Sequence, residues 1–317
     1  MDTEGLSPRK GGRIAVFLKR LTDSDIFYSF YHSPVTVIAA FVTLLMIGSA
    51  LTAPWIAPHN PFDLASLDLM DSHIPPAWED EGDNRYLLGT DDQGRDVLST
   101  ILYGSRISLM VGFLSVIFSL VLGVSLGIIS GYAGGLIDVL IMRIAEIQIS
   151  FPAILIALLV DGVLRTLIPN AHSERLAVIV LVFSIGISGW VQYARTVRSS
   201  AMVEKNKEYI QAARVIGIHP VLIMTRHILP NVMGPVLVIA TIHLAVAIIT
   251  EATLSFLGVG VPPTQPSLGT LIRIGNDFLF SGEWWITIFP SAALAILVLA
   301  VNLLGDWLRD ALNPKLR

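Results

Sequence analysis

The sequence predicts an all-α integral membrane protein with six transmembrane helices and a cytoplasmic helix-turn-helix between the fourth and fifth. Three observations carry this expectation. The 317 residues are 53% hydrophobic and only 15% charged, with a mean hydropathy of +0.69, whereas soluble chains carry about 25% charged residues. Apolar runs long enough to cross a bilayer, which takes roughly 20 residues, recur near 35–57, 107–130, 140–160, 177–195, 231–250 and 286–304. The basic residues are also divided unequally. With the N-terminus inside the cell, all of the 21 Lys and Arg except Arg85, Arg95, Arg106, Arg165, Arg175 and Arg273 fall on the cytoplasmic side. The reverse orientation would oppose the positive-inside bias. Both termini and the 196–230 segment are therefore expected in the cytoplasm.

Residues 1–33 form a cytoplasmic tail in which Arg13, Ile14, Val16, Phe17, Leu18, Lys19 and Arg20 mix basic and apolar positions. That pattern suits an interfacial helix or a disordered basic tail equally well. The first run, 34–58, starts too far from Met1 for a cleaved signal and reads as an uncleaved anchor. Segment 59–106 is acidic, broken at Pro61 and Pro75-Pro76, and too poor in apolar residues to build its own core. It is expected as an external, periplasmic loop. Residues 107–308 are expected as the core membrane domain, with 309–317 as a cytoplasmic tail.

Within that core, Gly123, Gly127 and Gly131 recur at helical spacing and predict close helix packing. The third run is the least regular, because Glu146 and Gln148 interrupt it. After the fifth run, Glu251 opens a stretch containing Gly258, Gly260 and Pro262-Pro263. Helix breaks near a membrane surface are buried in protein or line a cavity.

The most informative segment is polar: Lys205-Asn-Lys-Glu-Tyr-Ile-Gln-Ala-Ala-Arg-Val-Ile-Gly217-Ile-His-Pro220. Tyr209, Ile210, Ala213 and Ile216 form an apolar stripe at helical spacing. Gly217 suits a helix stop and Pro220 a restart. A loop joining two spans needs none of this, so the segment is expected to dock another protein, with Ala213 on the docking face.

The sequence offers several candidate chemistries. The chain has no Gly-x-x-x-x-Gly-Lys-Ser/Thr loop to cradle a nucleotide, so energy from ATP has to come from a partner. With no cysteine, disulfides, thiolate metal sites and cysteine nucleophiles are excluded. Gly123-Val-Ser125-Leu-Gly127 spells a nucleophile elbow, but it lies inside an apolar run where the required strand and turn are missing. Ser188 in Gly186-Ile-Ser188-Gly189 could pair with His243 on a later span, as in intramembrane serine proteases, although upstream oxyanion donors are lacking. Asp91-Asp-Gln-Gly-Arg-Asp96 crowds carboxylates around a glycine without the spacing of a calcium loop; a tight turn into the second span is the alternative. Asp138, Arg143, Glu146 and Glu251 are charges near or within membrane spans, where unpaired charge is expensive. Two roles are open for them, lining a path or holding helices together, with Arg143 and Glu146 spaced to pair on one helix face. An ion-driven secondary transporter would show inverted repeats with paired broken spans, which the sequence does not display.

Gln211-Ala212-Ala213, Gly217 and Ile228-Leu229-Pro230 together resemble the EAA loop of binding-protein-dependent ABC importer permeases. Further stretches resemble the C-type permease subunit of dipeptide and oligopeptide importers: Leu88-Gly-Thr-Asp-Asp-Gln-Gly-Arg-Asp96, Gly131-Tyr-Ala-Gly-Gly135 with Asp138 and Met142-Arg143, Phe151-Pro152, Glu251 through Gly260, and Leu303-Leu-Gly-Asp306 with Arg309-Asp-Ala-Leu312. The resemblance covers about residues 30–317. It implies a type I ABC importer permease in a bacterial inner membrane, with no cofactor in this chain and no catalysis by it. Its implied partners are a homologous permease subunit, two ATPase subunits that bind ATP and Mg, and a periplasmic or lipid-anchored substrate-binding protein. No nucleic acid is implied. The implied cargo is a di- or oligopeptide, with nickel, glutathione or another small solute as the alternative. Carried over residue by residue, Glu208, Tyr209, Gln211, Ala212, Ala213 and Gly217 would contact an ATPase, and Leu229-Pro230 would close the loop. The motif's Glu is Gln211 here, which leaves Glu208, one turn earlier, as the charged candidate.

Overall fold

A computed structural model describes residues 25–63, 67–168 and 173–311. The basic stretch 1–24, Lys315 and Arg317 lie outside the described residues, as does the Arg175 side chain. A short helix, α1 (Asp25–Tyr31), precedes the first span, α2 (Pro34–Ile56). Ser33 caps α2 by accepting from the Thr36 amide, with Pro34 in the first turn where its missing N–H costs nothing.

The second span, α3 (Val97–Ala133), begins ten residues before the expected boundary at 107. Asp96 sets that start: its carboxylate accepts from both the amide and the hydroxyl of Ser99. Arg106 therefore lies on the helix and not in the loop. α3 ends at Gly134, whose φ of 67° any side chain would resist.

The third run is not one straight span. α4 (Gly135–Ile149) and α5 (Ala153–Leu167) meet at a bend of 101° across Ser150-Phe151-Pro152. Pro152 has no N–H to continue the ladder and biases Phe151 away from helix. The described residues thus hold five helices long and apolar enough to cross a membrane, and a sixth span if the bent pair counts as one.

The fourth span, α6 (Glu174–Glu204), runs well past the expected end at 195. The short α7 (Glu208–Val215) follows. α8 (Pro220–Phe256) is then helical throughout, with a π turn over Met224–Ile228 immediately before Leu229-Pro230. A π turn loosens the i→i−4 ladder where Pro230 can supply no donor. Leu229-Pro230 therefore closes no loop; it sits inside a helix, and the expected 196–230 loop shrinks to the residues between Glu204 and Pro220. α9 (Leu268–Phe278) and the last span, α10 (Trp285–Ala311), complete the chain.

α3 and α6 form the most extensive helix pair, and the expected glycine series explains why. A Cβ on Gly123 would lie 2.4 Å from the Trp190 carbonyl oxygen, on Gly127 2.6 Å from that of Ala194, and on Gly131 2.8 Å from the Ala201 methyl. The two backbones are in contact along the seam, which uninterrupted helix through Ser125 confirms is no nucleophile elbow.

Candidate functional site

The first candidate is built on α7. Its C-terminus is closed by Gly217 at φ 84°, as expected. Gly217 N donates to the Arg214 carbonyl and Ile218 N to that of Ala213, the paired bonds of a Schellman stop. His219 and Pro220 then start α8. At the other end, Tyr209 donates to the Glu204 carboxylate and accepts from Asn231 Nδ2 at 3.0 Å, tying α7 to both flanking spans. Burial, then the Glu204 carboxylate, push the Tyr209 phenol above its ordinary pKa, which keeps it a donor. Gln211 Nε2 donates to the Asn206 carbonyl at 3.0 Å, and Arg214 lies over the Tyr132 ring.

The two faces of α7 differ from the expectation in one respect. Ile210 (0% exposed) and Ala213 (5%) pack inward in a cluster with Tyr193, Ile223, Ile228 and Val232. Ala213 is therefore not on a docking face; its small side chain seats α7 on its own chain. Glu208, Tyr209, Gln211, Ala212 and Gly217 are exposed, and so are Val215 (88%) and Ile216 (77%). Two bare aliphatics on a charged helix make an outward face suited to protein contact. Leu229 joins the inner cluster and Pro230 is exposed.

Of the charged residues near the spans, Arg143 and Glu146 do pair, at 3.0 Å, but both side chains are exposed, so this is no ion pair stranded in a low-dielectric interior of the chain. Asp138 binds elsewhere. It takes Arg198 in a two-pronged contact at 2.5 and 2.6 Å and accepts from Ser130. Glu251 lies within α8 and not beyond the span; the break comes later, at Gly258 with φ 84°. It is fully buried and accepts from Ser108 Oγ and Ser255 Oγ, both at 2.7 Å, while Ser108 Oγ also accepts from the first amide of α9. One carboxylate thus joins α3, α8 and α9. Ser188 donates to its own helix at Ile185 O, and His243 Nδ1 lies 3.0 Å from the Tyr193 hydroxyl. Ser188 and His243 therefore form no dyad.

A second candidate surface is formed by the connections that precede α3 and follow α8. The Asp91–Asp96 turn is an ion-pair scaffold: Arg95 Nε donates to Asp91 at 2.7 Å and Nη1 to the Pro263 carbonyl, while Asp96 caps α3. Two of the turn's three carboxylates, Asp91 and Asp96, are thus committed to Arg95 and to the α3 cap, which favours the tight-turn reading, and Gly94 at φ 74° supplies the turn. Asp161 on α5 holds Arg165, which reaches the Val259 and Gly260 carbonyls. His73 pairs with Glu283 at 2.7 Å, and Trp285 Nε1 donates to the Thr90 carbonyl. Burial and then Asp71 push the Tyr86 phenol up to about 12. A cavity of about 280 Å³ lies where the two connections meet, lined by residues including Phe62, Gln93, Arg95 and Thr264. Sequence reasoning missed Arg165, although its four-residue spacing from Asp161 was legible. It also missed Asp138–Arg198 and His73–Glu283, whose partners lie far apart in the chain.

Residues 123–317 match the family described as binding-protein-dependent transport system inner membrane component, and residues 24–76 match the N-terminal TM domain of oligopeptide transport permease C. The chain is 38% identical over 293 residues to the dipeptide transport system permease protein DppC of Haemophilus influenzae, covering 92% of this chain and 95% of that one. It is 36% identical to the di/tripeptide transport system permease protein DppC of Pseudomonas aeruginosa, with 92% of each chain covered. In fold it is similar to a chain of the MetNI methionine ABC transporter in an inward-facing conformation, with a TM-score of 0.52 and 22% identity over 68% of this chain and 97% of that one.

Proposed function

The chain belongs to the family of binding-protein-dependent transport system inner membrane components, and from that premise we propose that it is the permease subunit of an ATP-driven peptide importer, coupled to its ATPase through the outward face of α7. The peptide cargo is suggested by the dipeptide permeases it resembles over nearly its whole length. A homologous permease subunit supplies the other half of the path, two ATPase subunits bind ATP and Mg, and an external binding protein delivers cargo to the surface around Arg95, Pro263 and Glu283. The chain itself catalyses nothing and holds no cofactor. Both of its termini lie in the cytoplasm of a bacterium, in keeping with the basic-residue bias.

The observation that carries this reading is the two-sided construction of α7. Ile210 and Ala213 bind the helix rigidly to α6 and α8, whereas Ala212, Val215 and Ile216 face away from the chain. A rigid lever of this kind passes ATPase closure to the spans as a body, so that rocking of the spans alternates access to the path. The ATP is remote from the peptide, and α7 is the link.

Purifying the assembled complex tests it. Val215→Asp changes a residue that touches little of its own chain, so stability should shift by no more than about 0.5 kcal/mol. The variant should insert and retain its sister permease yet lose the ATPase subunits. Full ATPase occupancy in Val215→Asp would refute the docking face.

A further inference from the structure

A cavity of about 260 Å³ opens between α4 and α6, lined by Met142, Ala145, Glu146 and Ile149 on one helix and Arg195 and Arg198 on the other. Its depth in the membrane can be placed from the sequence. Residues 176–194 of α6 carry no charge and, at 1.5 Å per residue, extend about 28 Å, close to the roughly 30 Å hydrocarbon thickness. Arg195 is the first charge after that stretch, so it stands at the level of the lipid headgroups. In the orientation adopted above, on which this inference rests, these are the headgroups of the cytoplasmic leaflet.

The charges around the cavity do not cancel. Arg198 is held by Asp138 through Nε and Nη2, which aims the guanidinium and leaves Nη1 uncommitted. Arg143 pairs with Glu146. Arg195 makes no ion pair among the described residues and is exposed. Counting the cavity's charged lining residues with their ion-pair partners, the three guanidiniums of Arg143, Arg195 and Arg198 stand against the two carboxylates of Asp138 and Glu146, and the surplus cation is Arg195. The opposite wall, Met142, Ala145 and Ile149, is apolar, and α4 also exposes Ile144 and Ile147. A cationic floor beside an apolar wall at headgroup depth matches a ligand with an anionic head and hydrocarbon tails.

We propose that this cavity binds an anionic phospholipid, its phosphodiester oxygens held between Arg195 and the free edge of Arg198 and its acyl chains lying against α4. Glu146 opposes the anion from the rim, so it should weaken the site and tune it.

The test uses the purified intact transporter complex with dioleoyl-phosphatidylglycerol, dioleoyl-phosphatidylcholine, glycerophosphoglycerol and inorganic phosphate as probes, read by native mass spectrometry and thermal shift. Phosphatidylglycerol should be retained and should raise the melting midpoint, whereas phosphatidylcholine should not. Arg195→Gln should weaken phosphatidylglycerol binding about fivefold, Arg195→Lys should keep most of it, and Glu146→Gln should tighten it. Unchanged phosphatidylglycerol binding in Arg195→Gln would overturn the site, as would its failure to bind at all because a partner subunit fills the cavity. An equal effect from glycerophosphoglycerol or inorganic phosphate would make it a site for free anions and overturn the lipid. Orientation is read separately: because the native chain has no cysteine, Lys207→Cys should label only from the cytoplasmic side. Labelling from outside would sink the topology, while inside labelling with unaltered lipid binding would sink the lipid site alone.

Discussion

Replacing Gly123 or Gly127 by alanine separates two opposed effects at the α3–α6 seam. Helix propensity alone favours alanine over glycine by about 1 kcal/mol at each position. The packing opposes it. The new methyl on Gly123 would sit 2.4 Å from the Trp190 carbonyl oxygen and 2.6 Å from Tyr193 Cβ, and on Gly127 2.6 Å from the Ala194 oxygen and 2.9 Å from Val197 Cβ. These neighbours are backbone or buried Cβ atoms, so relief requires moving one helix by about 1 Å, and overpacking of that kind costs about 1–3 kcal/mol. At the upper end of that range, the net loss is about 2 kcal/mol per site. Gly162 on α5 is the control, since a methyl there would meet nothing within 4 Å and propensity should prevail. The assay is the thermal midpoint of the purified complex. Gly123→Ala and Gly127→Ala should melt several degrees lower, and Gly162→Ala at or above the wild type. If all three shift upward together, the two backbones are not in contact and the account of the seam is wrong.

Two further outcomes follow from the ion pairs and the polar groups in the spans. Arg165→Ala removes the hydrogen bonds that tie α5 to the Val259 and Gly260 carbonyls and takes the guanidinium away from the fully buried Asp161, so it should cost about 3–5 kcal/mol; Arg165→Ala with Asp161→Asn should recover much of the melting temperature, and no recovery would contradict the pairing. Arg143→Ala and Glu146→Gln, exposed in the chain, should be nearly additive and small, about 0–1 kcal/mol, in a double-mutant cycle; a coupling of several kcal/mol would show that the pair is buried in the assembled complex.

Where a feature depends on residues adjacent in sequence, it was legible beforehand. The Gly217 stop, the glycine seam and the six apolar runs all follow from spacing and residue type. The boundaries of the spans were less so. Asp96 looked like a loop acid, and only its contact with Ser99 reveals that it starts α3; Pro230 looked like a helix boundary, yet a π turn absorbs it. The faces of α7 were read wrongly because Ile210, Ala213, Val215 and Ile216 are equally apolar and an eight-residue helix offers too few turns to say which stripe faces home. Asp138 with Arg198, and His73 with Glu283, depend on the fold bringing distant segments together, so their separate charges carried no pairing signal. Glu251 could be singled out as a charge beside a membrane, but that it joins three helices through two serines required the packing.

The central claim is that this chain moves peptide using ATP hydrolysed elsewhere and reached through α7. The most direct measurement is uptake of a labelled dipeptide by proteoliposomes containing the permease pair and its ATPases, with the binding protein outside and ATP inside. The account predicts uptake that needs both additions, and none with Val215→Asp even though that variant incorporates normally. Uptake that persists without ATP, or that survives Val215→Asp undiminished, would contradict it.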